Sequence, residues 1–342
     1  CHIKANCIAS SPMQGKENIG VLSLVSGVSR RSFNRALYLI TVMGGDLTSL
    51  IFMTILLVFA VEKFNGHIRW FQASVGLPLG MMAAVLITKF IKDYAHASKN
   101  AHIILRDWLP FLLISFIYEN LHDVAGHVMA HDIAPALYKW DVMLFGVEPT
   151  IWVQKLFNPL FTDVMAFSYA LYFFLPLFLM FFLSVQDRRL ELRQMSLCLT
   201  FVFLAGFLCY VFLPANPPRY FITDLYTSPV KLTGLFLFDR LQGAWDGLSV
   251  IKGGAFPSLH VGISSVALIY AYKFRNISRL YSLIWWSYIP LVVSLWFSTI
   301  YLRHHWVIDI FAGWLVALFG ALFAGVMLGL WTRLRNMYGL SL

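Results

Sequence analysis

Long apolar runs constrain this chain more than any other feature of its sequence. Eight such segments follow one another, each of about 17–25 residues, the length that crosses the hydrocarbon core of a bilayer as a helix. They are residues 36–61, 70–88, 106–122, 163–185, 194–213, 258–274, 280–300 and 307–331. Only 13% of the residues are charged, which excludes an ordinary soluble domain. We therefore predict an all-α, polytopic membrane bundle of about eight transmembrane helices.

The distribution of basic residues predicts which ends of these spans face the cytoplasm. With the N-terminus inside, the inner segments hold 17 of the 26 Lys and Arg residues, although the outer loops are longer. Lys and Arg favour the cytoplasmic loops of membrane proteins. We therefore predict that both termini are cytoplasmic. The net charge of +9 is attributed to inner loops facing anionic lipid, and no nucleic-acid partner is predicted.

The stretch from Ser298 to Asp309 joins the last two predicted spans and carries the strongest chemical signal. It holds His305 and Asp309 at a membrane boundary, where an idle ionisable group is costly. Were the segment helical from Arg303 onward, their four-residue spacing would place both side chains on one face, within reach of a hydrogen bond. That bond would fix the tautomer of the imidazole and leave its other nitrogen free as a nucleophile or base. His304 has a less suitable spacing, so His305 is the predicted reactive histidine.

A second signal lies at the start of the sixth span, within residues 253–262. Pro257 is expected to start a helix there, with His260 on its first turn. Ser258 and the free N–H groups of the helix start make a natural anion cradle. Before this segment, a Pro-rich turn fixes Arg219 near the membrane surface.

These signals converge on one face of the membrane. The charge-derived topology places Arg219, His260 and the pair of His305 with Asp309 on the outer side. Two imidazoles, a carboxylate, the guanidinium groups of Arg219 and Arg303, and nearby hydroxyls suit a phosphoryl group. Cations and N–H donors bind its oxygens, while a nucleophile attacks one side and an acid assists the other.

Other segments of the C-terminal half predict structural roles. The spans 163–185 and 194–213 consist mainly of Phe, Leu, Met and Ala and are expected to be structural helices. Residues 133–160 mix aromatic and charged side chains, as a helix lying in the membrane interface does. The loop 214–257 contains a moderately amphipathic piece around 236–245, which is expected to be either a lid or lipid-contacting helix, or a plain interfacial loop.

The motifs that carry the three signals resemble those of a known family. The second and third signature motifs of the type 2 phosphatidic acid phosphatase superfamily are similar to Pro257-Ser258-x-His260 and Ser298-x6-His305-x3-Asp309, and its first motif is similar to Pro217-Pro218-Arg219. The Ala-Phe-Pro-Ser-Leu-His and Ser-Thr-x-Tyr-Leu-x-His-His blocks resemble, more narrowly, the branch that includes inositol phosphorylceramide synthases. Two long motifs in order and on the same side make the resemblance specific.

The resemblance implies an enzyme that hydrolyses or transfers a lipid phosphate at the non-cytoplasmic face, with no metal or other cofactor. His305, oriented by Asp309, would attack phosphorus to form a phosphohistidine. His260 would protonate the leaving oxygen and later activate the acceptor. The resemblance further implies that the phosphoryl oxygens contact Arg219, Ser258, Ser298 and Arg303, and that Thr299, His304 and Tyr220 add substrate contacts.

The domain organisation follows from the spans and the resemblance together. We predict a cytoplasmic tail at 1–33 and N-terminal transmembrane helices at 34–132. A membrane domain of the phosphatase or phosphotransferase type, with a six-helix core, is predicted at 133–332. A second cytoplasmic tail follows at 333–342.

Two departures from the family pattern bear on the activity. The first motif usually has a Lys several residues before an Arg-Pro pair, whereas here no Lys closely precedes Arg219 and Tyr220 follows it. The third motif usually has an Arg directly after its Ser, where this chain has Thr299; Arg303, one turn on, is expected to replace it. Because the transferase-like branch shares these changes, they argue against simple phosphatidic acid phosphatase activity.

Three activities stay open on the sequence. The first is hydrolysis of a lipid phosphate, and the second is transfer of a phospho-headgroup to a lipid or small alcohol acceptor. Asp46 and Glu119 lie within predicted spans, which keeps a transporter as the third. The histidines between 122 and 131 lack the spacing of a tetrahedral zinc site, so no metal is predicted. The sequence specifies neither the lipid headgroup nor a partner subunit or homo-oligomer.

Overall fold

The computed structural model describes residues 132–337, except 228, 230 and 249–252, together with Ile114. The first two predicted spans, and the third apart from Ile114, lie outside these residues. So do the N-terminal tail, Asp46, Glu119 and the histidines between 122 and 131.

Nine α-helices form the described part of the chain, which has no β-strand beyond one isolated bridge between Ala215 and Gly254. They are α1 (Ala134–Phe145), α2 (Pro149–Val153), α3 (Pro159–Val185), α4 (Arg189–Phe212), α5 (Pro218–Phe221), α6 (Phe238–Leu248), α7 (Leu259–Phe274), α8 (Arg279–Tyr301) and α9 (Val307–Met337). The predicted all-α membrane bundle is confirmed. Helices α3, α4, α8 and α9 have the length and hydropathy of membrane spans, and α7 is a shorter apolar helix.

Capping residues fix where the helices of the bundle begin. The side chain of Asn158 accepts hydrogen bonds from the backbone N–H groups of Leu160 and Phe161, and Pro159 occupies the first turn of α3, where no donor is needed. The side chain of Ser258 likewise accepts a hydrogen bond from the backbone N–H of Val261 and so caps α7. Helix α7 therefore begins at Leu259, and the expectation that Pro257 starts it was wrong.

Helix α7 lies at the centre of the bundle, in contact with α3, α4, α8 and α9. Its buried residues Ile263 and Val266 belong to one apolar cluster with Val202 of α4 and Leu295 of α8. Close van der Waals packing stabilises such contacts between membrane helices, since lipid tails are as apolar as the side chains. Large apolar side chains on α3 and α9 are exposed instead, as expected where helices face lipid; they include Phe174, Phe178, Leu318 and Leu322.

The starts of α3, α7 and α9 meet the end of α8 at one end of the bundle. The Thr162 hydroxyl, on the first turn of α3, lies 2.9 Å from the Tyr301 hydroxyl at the end of α8. The backbone N–H of Ser258, which caps α7, donates to the carbonyl of Asp309 at 3.1 Å. We call this end of the bundle the site end, because the predicted functional residues lie there.

Candidate active site

Backbone hydrogen bonds join the three predicted motifs at the site end. The N–H of Ala215 donates to Gly253 O at 2.7 Å, and the N–H of Ala255 donates back to Ala215 O at 3.1 Å. Arg219 N–H donates to Arg303 O at 3.0 Å. Segments far apart in sequence thus share one hydrogen-bonded frame, which limits how far their side chains can move relative to one another.

The close contact between α7 and α9 requires a glycine at position 313. A Cβ atom there would lie 2.7 Å from Ser258 O, closer than real contacts allow. Gly313 therefore lets the segment before α7 approach the first turns of α9, which is how His260 comes near His305.

His305 lies in the short loop before α9 and is almost fully buried, with 3% of its surface exposed. Its Nδ1 atom is 2.9 Å from Ala255 O and 3.3 Å from Asp309 Oδ2. The predicted contact with Asp309 is present. The expected helix from Arg303 is wrong, however, because α9 begins at Val307 and the φ of Arg303 is +62°.

Asp309 is fully buried and holds the start of α9 together. Its Oδ2 accepts a hydrogen bond from Trp306 N–H at 2.9 Å, so the carboxylate bonds both the helix start and His305. This arrangement resembles a capping box, in which a side chain on the first turn accepts from the N–H just before the helix. The carboxylate is therefore fixed relative to the imidazole.

His260 lies directly opposite His305. The distance from His260 Nδ1 to His305 Nε2 is 3.3 Å, and the ring centroids are 5.4 Å apart. Aromatic rings hold His260 on its other sides: Tyr169 stacks on it at 4.2 Å and Tyr172 contacts it at 4.1 Å. The two predicted imidazoles thus converge.

The hydrogen-bond partners indicate which nitrogens carry protons. Ala255 O is an acceptor only, so His305 Nδ1 is the donor and the neutral ring keeps its lone pair on Nε2. His260 Nδ1, which faces that lone pair, must then be the donor of the pair. An unprotonated imidazole nitrogen opposite an imidazole N–H is an arrangement that suits a nucleophile and an acid.

His304 lies beside this pair. Its ring stacks on Tyr169 at 4.6 Å and meets the edge of Trp245 at 5.6 Å. Burial, followed by the positive charge of Arg219, lowers the pKa of His304 well below its ordinary value. His304 is therefore a neutral imidazole close to Arg219.

Arg219 and Tyr220 contact the amphipathic helix α6. Arg219 Nη2 is 3.1 Å from Asp246 Oδ1, and the Tyr220 hydroxyl donates to the same oxygen at 3.3 Å. The Arg219 side chain is 14% exposed and that of Asp246 is 49% exposed. Arg219 thus lies at the rim of the site with a carboxylate as its partner, while its predicted contact with phosphate stays a prediction.

Arg303 contacts a different part of the site end. Its guanidinium lies 3.6 Å from the centre of the Tyr226 ring and donates from Nη2 to Pro229 O at 2.8 Å. The structure thus places this side chain against the loop before α6. Its predicted replacement of the missing Arg after Ser298 stays a prediction.

The predicted hydroxyl groups make local hydrogen bonds. Ser298 Oγ donates to Leu295 O at 2.6 Å, and Thr299 Oγ1 donates to Trp296 O at 2.7 Å. The Ser258 hydroxyl accepts from Val261 N–H at 3.4 Å. These bonds tie the side chains to their own helices, and a substrate contact would have to share or replace them.

Helix α3 supplies site residues that the sequence did not predict. It was expected to be a structural helix, yet Tyr169 stacks on both His260 and His304. Its Asp163 carboxylate accepts four backbone hydrogen bonds of 2.8–3.1 Å, from residues 235, 236, 237 and 238 at the start of α6. The sequence offered one signal for these roles, the carboxylate of Asp163 at the edge of an apolar run.

Asp141 of α1 is a second residue that the sequence did not predict. Its carboxylate accepts hydrogen bonds from Val307 N–H at 2.7 Å and Ile308 N–H at 3.0 Å, and so caps α9. Burial raises the pKa of Asp141 to about 6, although these two hydrogen bonds oppose the rise. Asp141 thereby fixes the helix start that carries Asp309.

The part of the chain described by the structure holds no group of three or more His, Cys, Asp or Glu side chains arranged to bind a metal ion. His305 and Asp309 bond each other and the backbone instead.

An apolar helical bundle with converging, buried histidines at one end is the architecture of a membrane enzyme. The model of the PAP2 superfamily matches residues 135–323, more than half of the chain. The chain belongs to the PAP2 superfamily. This confirms the resemblance of the motifs and supports a lipid phosphatase or phosphotransferase over a transporter.

Two curated relatives narrow the comparison. The chain is 29% identical to the phosphoinositol dihydroceramide synthase of Bacteroides thetaiotaomicron over 234 residues, which cover 63% of this chain and 74% of the relative. It is 38% identical to the inositol phosphorylceramide synthase catalytic subunit AUR1 of Saccharomyces cerevisiae over 115 residues, or 29% of this chain and 26% of that protein. The predicted resemblance to the inositol phosphorylceramide synthase-like branch is thereby confirmed. No solved structure matches the chain significantly.

Proposed function

We propose that this protein transfers a phospho-headgroup from one lipid to the hydroxyl of another through a phosphohistidine at His305. The observation that carries the proposal is the 3.3 Å approach of His260 Nδ1 to His305 Nε2, with His305 Nδ1 held by Ala255 O and Asp309. This geometry offers one unprotonated nitrogen, which can attack once the phosphoryl group displaces its hydrogen bond with His260, and one N–H for the leaving group.

In the first step, the lone pair of His305 Nε2 attacks the phosphorus of a phosphodiester lipid. The new bond is N–P, and the bond that breaks is P–O to the diacylglycerol-type leaving group. His260 enters as an imidazolium, which the negative phosphate favours, and gives its Nδ1 proton to the leaving oxygen. Asp309 stabilises the positive charge that develops on the His305 ring.

In the second step, the acceptor hydroxyl attacks phosphorus and the N–P bond breaks. His260, now neutral, takes the proton of that hydroxyl and returns to its starting form. His305 leaves as the neutral imidazole. Neither step needs a metal, because imidazole nitrogens supply the nucleophile, the acid and the base.

The charges near the histidines favour a phosphodiester over a phosphomonoester. The Arg219 guanidinium is paired with Asp246, and that of Arg303 lies on Tyr226. A phosphodiester carries one negative charge, whereas a phosphomonoester carries between one and two near neutral pH. The modest positive charge therefore suits headgroup transfer, in agreement with the names of both relatives as synthases.

We further propose that the lipids are inositol phospholipid and ceramide-type substrates, by analogy with the relatives. The site would lie on the non-cytoplasmic face, with both termini cytoplasmic, as the distribution of Lys and Arg predicts. Lipids would reach it from the bilayer that surrounds the helices.

Purified chain in lipid nanodiscs, given radiolabelled phosphatidylinositol with and without ceramide, tests this function. We expect label in a ceramide product, and loss of that product in His305→Gln, by a factor above about 10⁴. His305→Gln tests the covalent step because Gln keeps polarity without an imidazole nucleophile. Acceptor-independent release of water-soluble inositol phosphate would favour hydrolysis and overturn the transferase assignment.

A further inference from the structure

Within the described part of the chain, His304 contains a buried polar atom without a hydrogen-bond partner, as do Arg219 and Asp309 of the same site. Only 7% of the residue is exposed, and its Nε2 is buried without a hydrogen-bond partner among the described residues. Nearly all buried polar atoms in proteins are hydrogen-bonded, so an exception at a functional site points to a binding role.

The position of His304 places its ring near the reacting groups. Its backbone N–H and that of His305 both donate to Thr299 O, at 3.0 Å and 3.2 Å. Its ring stacks on Tyr169, which also stacks on His260. His304 is therefore fixed next to both imidazoles by its backbone and by its ring.

Both guanidinium groups of the site already have partners. Arg219 pairs with Asp246, and the guanidinium of Arg303 lies on the Tyr226 ring. Phosphoryl transfer depends mainly on positioning and on stabilising the charge of the non-bridging oxygens.

We propose that His304 donates a hydrogen bond from Nε2 to a non-bridging oxygen of the transferring phosphoryl group. This inference rests on the proposed function and gives His304 a catalytic role as a neutral donor. It would add a hydrogen-bond donor for the phosphoryl group without placing a second full charge beside Arg219.

A neutral donor differs from an acid or base because its proton stays on the nitrogen. The charged and titratable side chains close to His304 are those of Arg219, His260, His305 and Tyr169. The neighbouring guanidinium disfavours a second cation, and burial does the same. His304 would thus remain neutral through both steps, and only its hydrogen bond would strengthen as charge builds on the oxygen.

Two substitutions at this position separate the donor from the ring. His304→Phe keeps a ring that can stack on Tyr169 and removes both nitrogens. His304→Gln keeps a neutral N–H₂ donor at about the reach of Nε2. Both variants are compared with the unchanged chain and with His305→Gln in nanodiscs that contain radiolabelled phosphatidylinositol and ceramide. Four quantities are measured: the rate of phosphoenzyme formation, the rate of transfer, the affinity for the donor lipid, and the melting temperature.

We expect His304→Phe to slow phosphoenzyme formation and transfer by about 10²–10³-fold, the usual cost of losing one such donor. Donor binding, the melting temperature and the shape of the pH profile should stay as in the unchanged chain, and His304→Gln should recover about tenfold.

Three results would overturn the inference. The first is a His304→Phe transfer rate within about threefold of that of the unchanged chain. The second is loss of one limb of the pH profile in His304→Phe, which would mean that His304 transfers a proton. The third is a loss of transfer rate in His304→Gln equal to that in His304→Phe, with the fold intact. If the unchanged chain forms no phosphoenzyme that depends on His305, the proposed function fails and this inference fails with it. If His305→Gln is inactive and His304→Phe is normal, only this inference fails.

Discussion

The two imidazoles at the centre of the site are held by different kinds of contact. Around His305 lies a hydrogen-bonded wall, formed by Ala255 O, the Asp309 carboxylate and the Trp306 N–H that the carboxylate also binds. Around His260 lies an aromatic wall, formed by the rings of Tyr169 and Tyr172. The two walls meet where His260 Nδ1 lies 3.3 Å from His305 Nε2.

The difference between the walls matches a division of chemical roles. A hydrogen-bonded ring is restricted to one tautomer, which a nucleophile needs so that its lone pair always points at phosphorus. A stacked ring is fixed in its plane while its nitrogens remain able to gain and lose protons. The aromatic wall therefore suits the proposed acid and base, and the hydrogen-bonded wall suits the proposed nucleophile.

Asp309→Asn should have the largest effect among changes to the hydrogen-bonded wall. One oxygen, Oδ2, bonds both Trp306 N–H and His305 Nδ1, so the Asn oxygen can keep both hydrogen bonds while the carboxylate charge is lost. That charge stabilises the positive charge that develops on the His305 ring as the N–P bond forms. We expect kcat for headgroup transfer to fall by about 10²–10³-fold, the usual cost of removing one electrostatic stabiliser of the transition state.

Quench-flow measurement of the phosphoenzyme checks where this loss arises. The deficit should lie in its formation, with donor binding close to that of the unchanged chain. A variant that forms phosphoenzyme at the normal rate would show that the charge of Asp309 does not assist attack by His305.

The arrangement of helices was largely predictable, because span length and hydropathy are local properties of sequence. The last five predicted spans all appear as helices, with α7 predicted at 258–274 and found at Leu259–Phe274. Boundaries were less accurate where capping decides them. Helix α4 begins at Arg189 and α3 at Pro159, each several residues before the apolar run begins.

The pair of His305 and Asp309 was predicted correctly from a local geometry that proved wrong. The contact arises because Asp309 caps the start of α9 and bonds back to Trp306. The prediction had instead placed His305 and Asp309 on one face of a continuous helix. The aromatic wall could not be predicted, since Tyr169 and His260 are 91 residues apart and no local pattern joins them. The same holds for Asp141 and Val307, which are 166 residues apart.

Tyr169→Leu should weaken the aromatic wall. Leu fills part of the space but removes the ring that stacks on His260 and His304. Each aromatic pair contributes about 0.5–1.5 kcal/mol, so loss of two should slow transfer by about 10–100-fold through misplaced imidazoles.

Tyr169→Phe is the matched control for this prediction. It keeps both stacking contacts and removes only a hydroxyl that lies 3.4 Å from His260 Nδ1, so its rate should stay close to that of the unchanged chain. The pH profile separates positioning from packing, because only a displaced His260 should move its limbs. If the Leu and Phe variants were equally slow, the hydroxyl rather than the ring would be the important group.

The smallest effect is expected at Asp141, which supports the hydrogen-bonded wall from behind by capping α9. Its pKa of about 6 in the folded chain lies above its ordinary value of 3.8. The folded state therefore holds this proton more tightly, and the resulting stabilisation is complete below about pH 3.8 and is lost as the pH rises through 6.

Asp141→Asn removes this titration, so its melting temperature should fall less than that of the unchanged chain between pH 5 and about 7.5, by on the order of 2–4 °C. Some decline should remain, because burial also raises the pKa of Glu148. The exposed Asp239, replaced in the same way, should leave the decline unchanged. Identical declines in the unchanged chain and in Asp141→Asn would mean that the Asp141 carboxylate, which caps α9 from α1, is not protonated in this range and is ionised throughout.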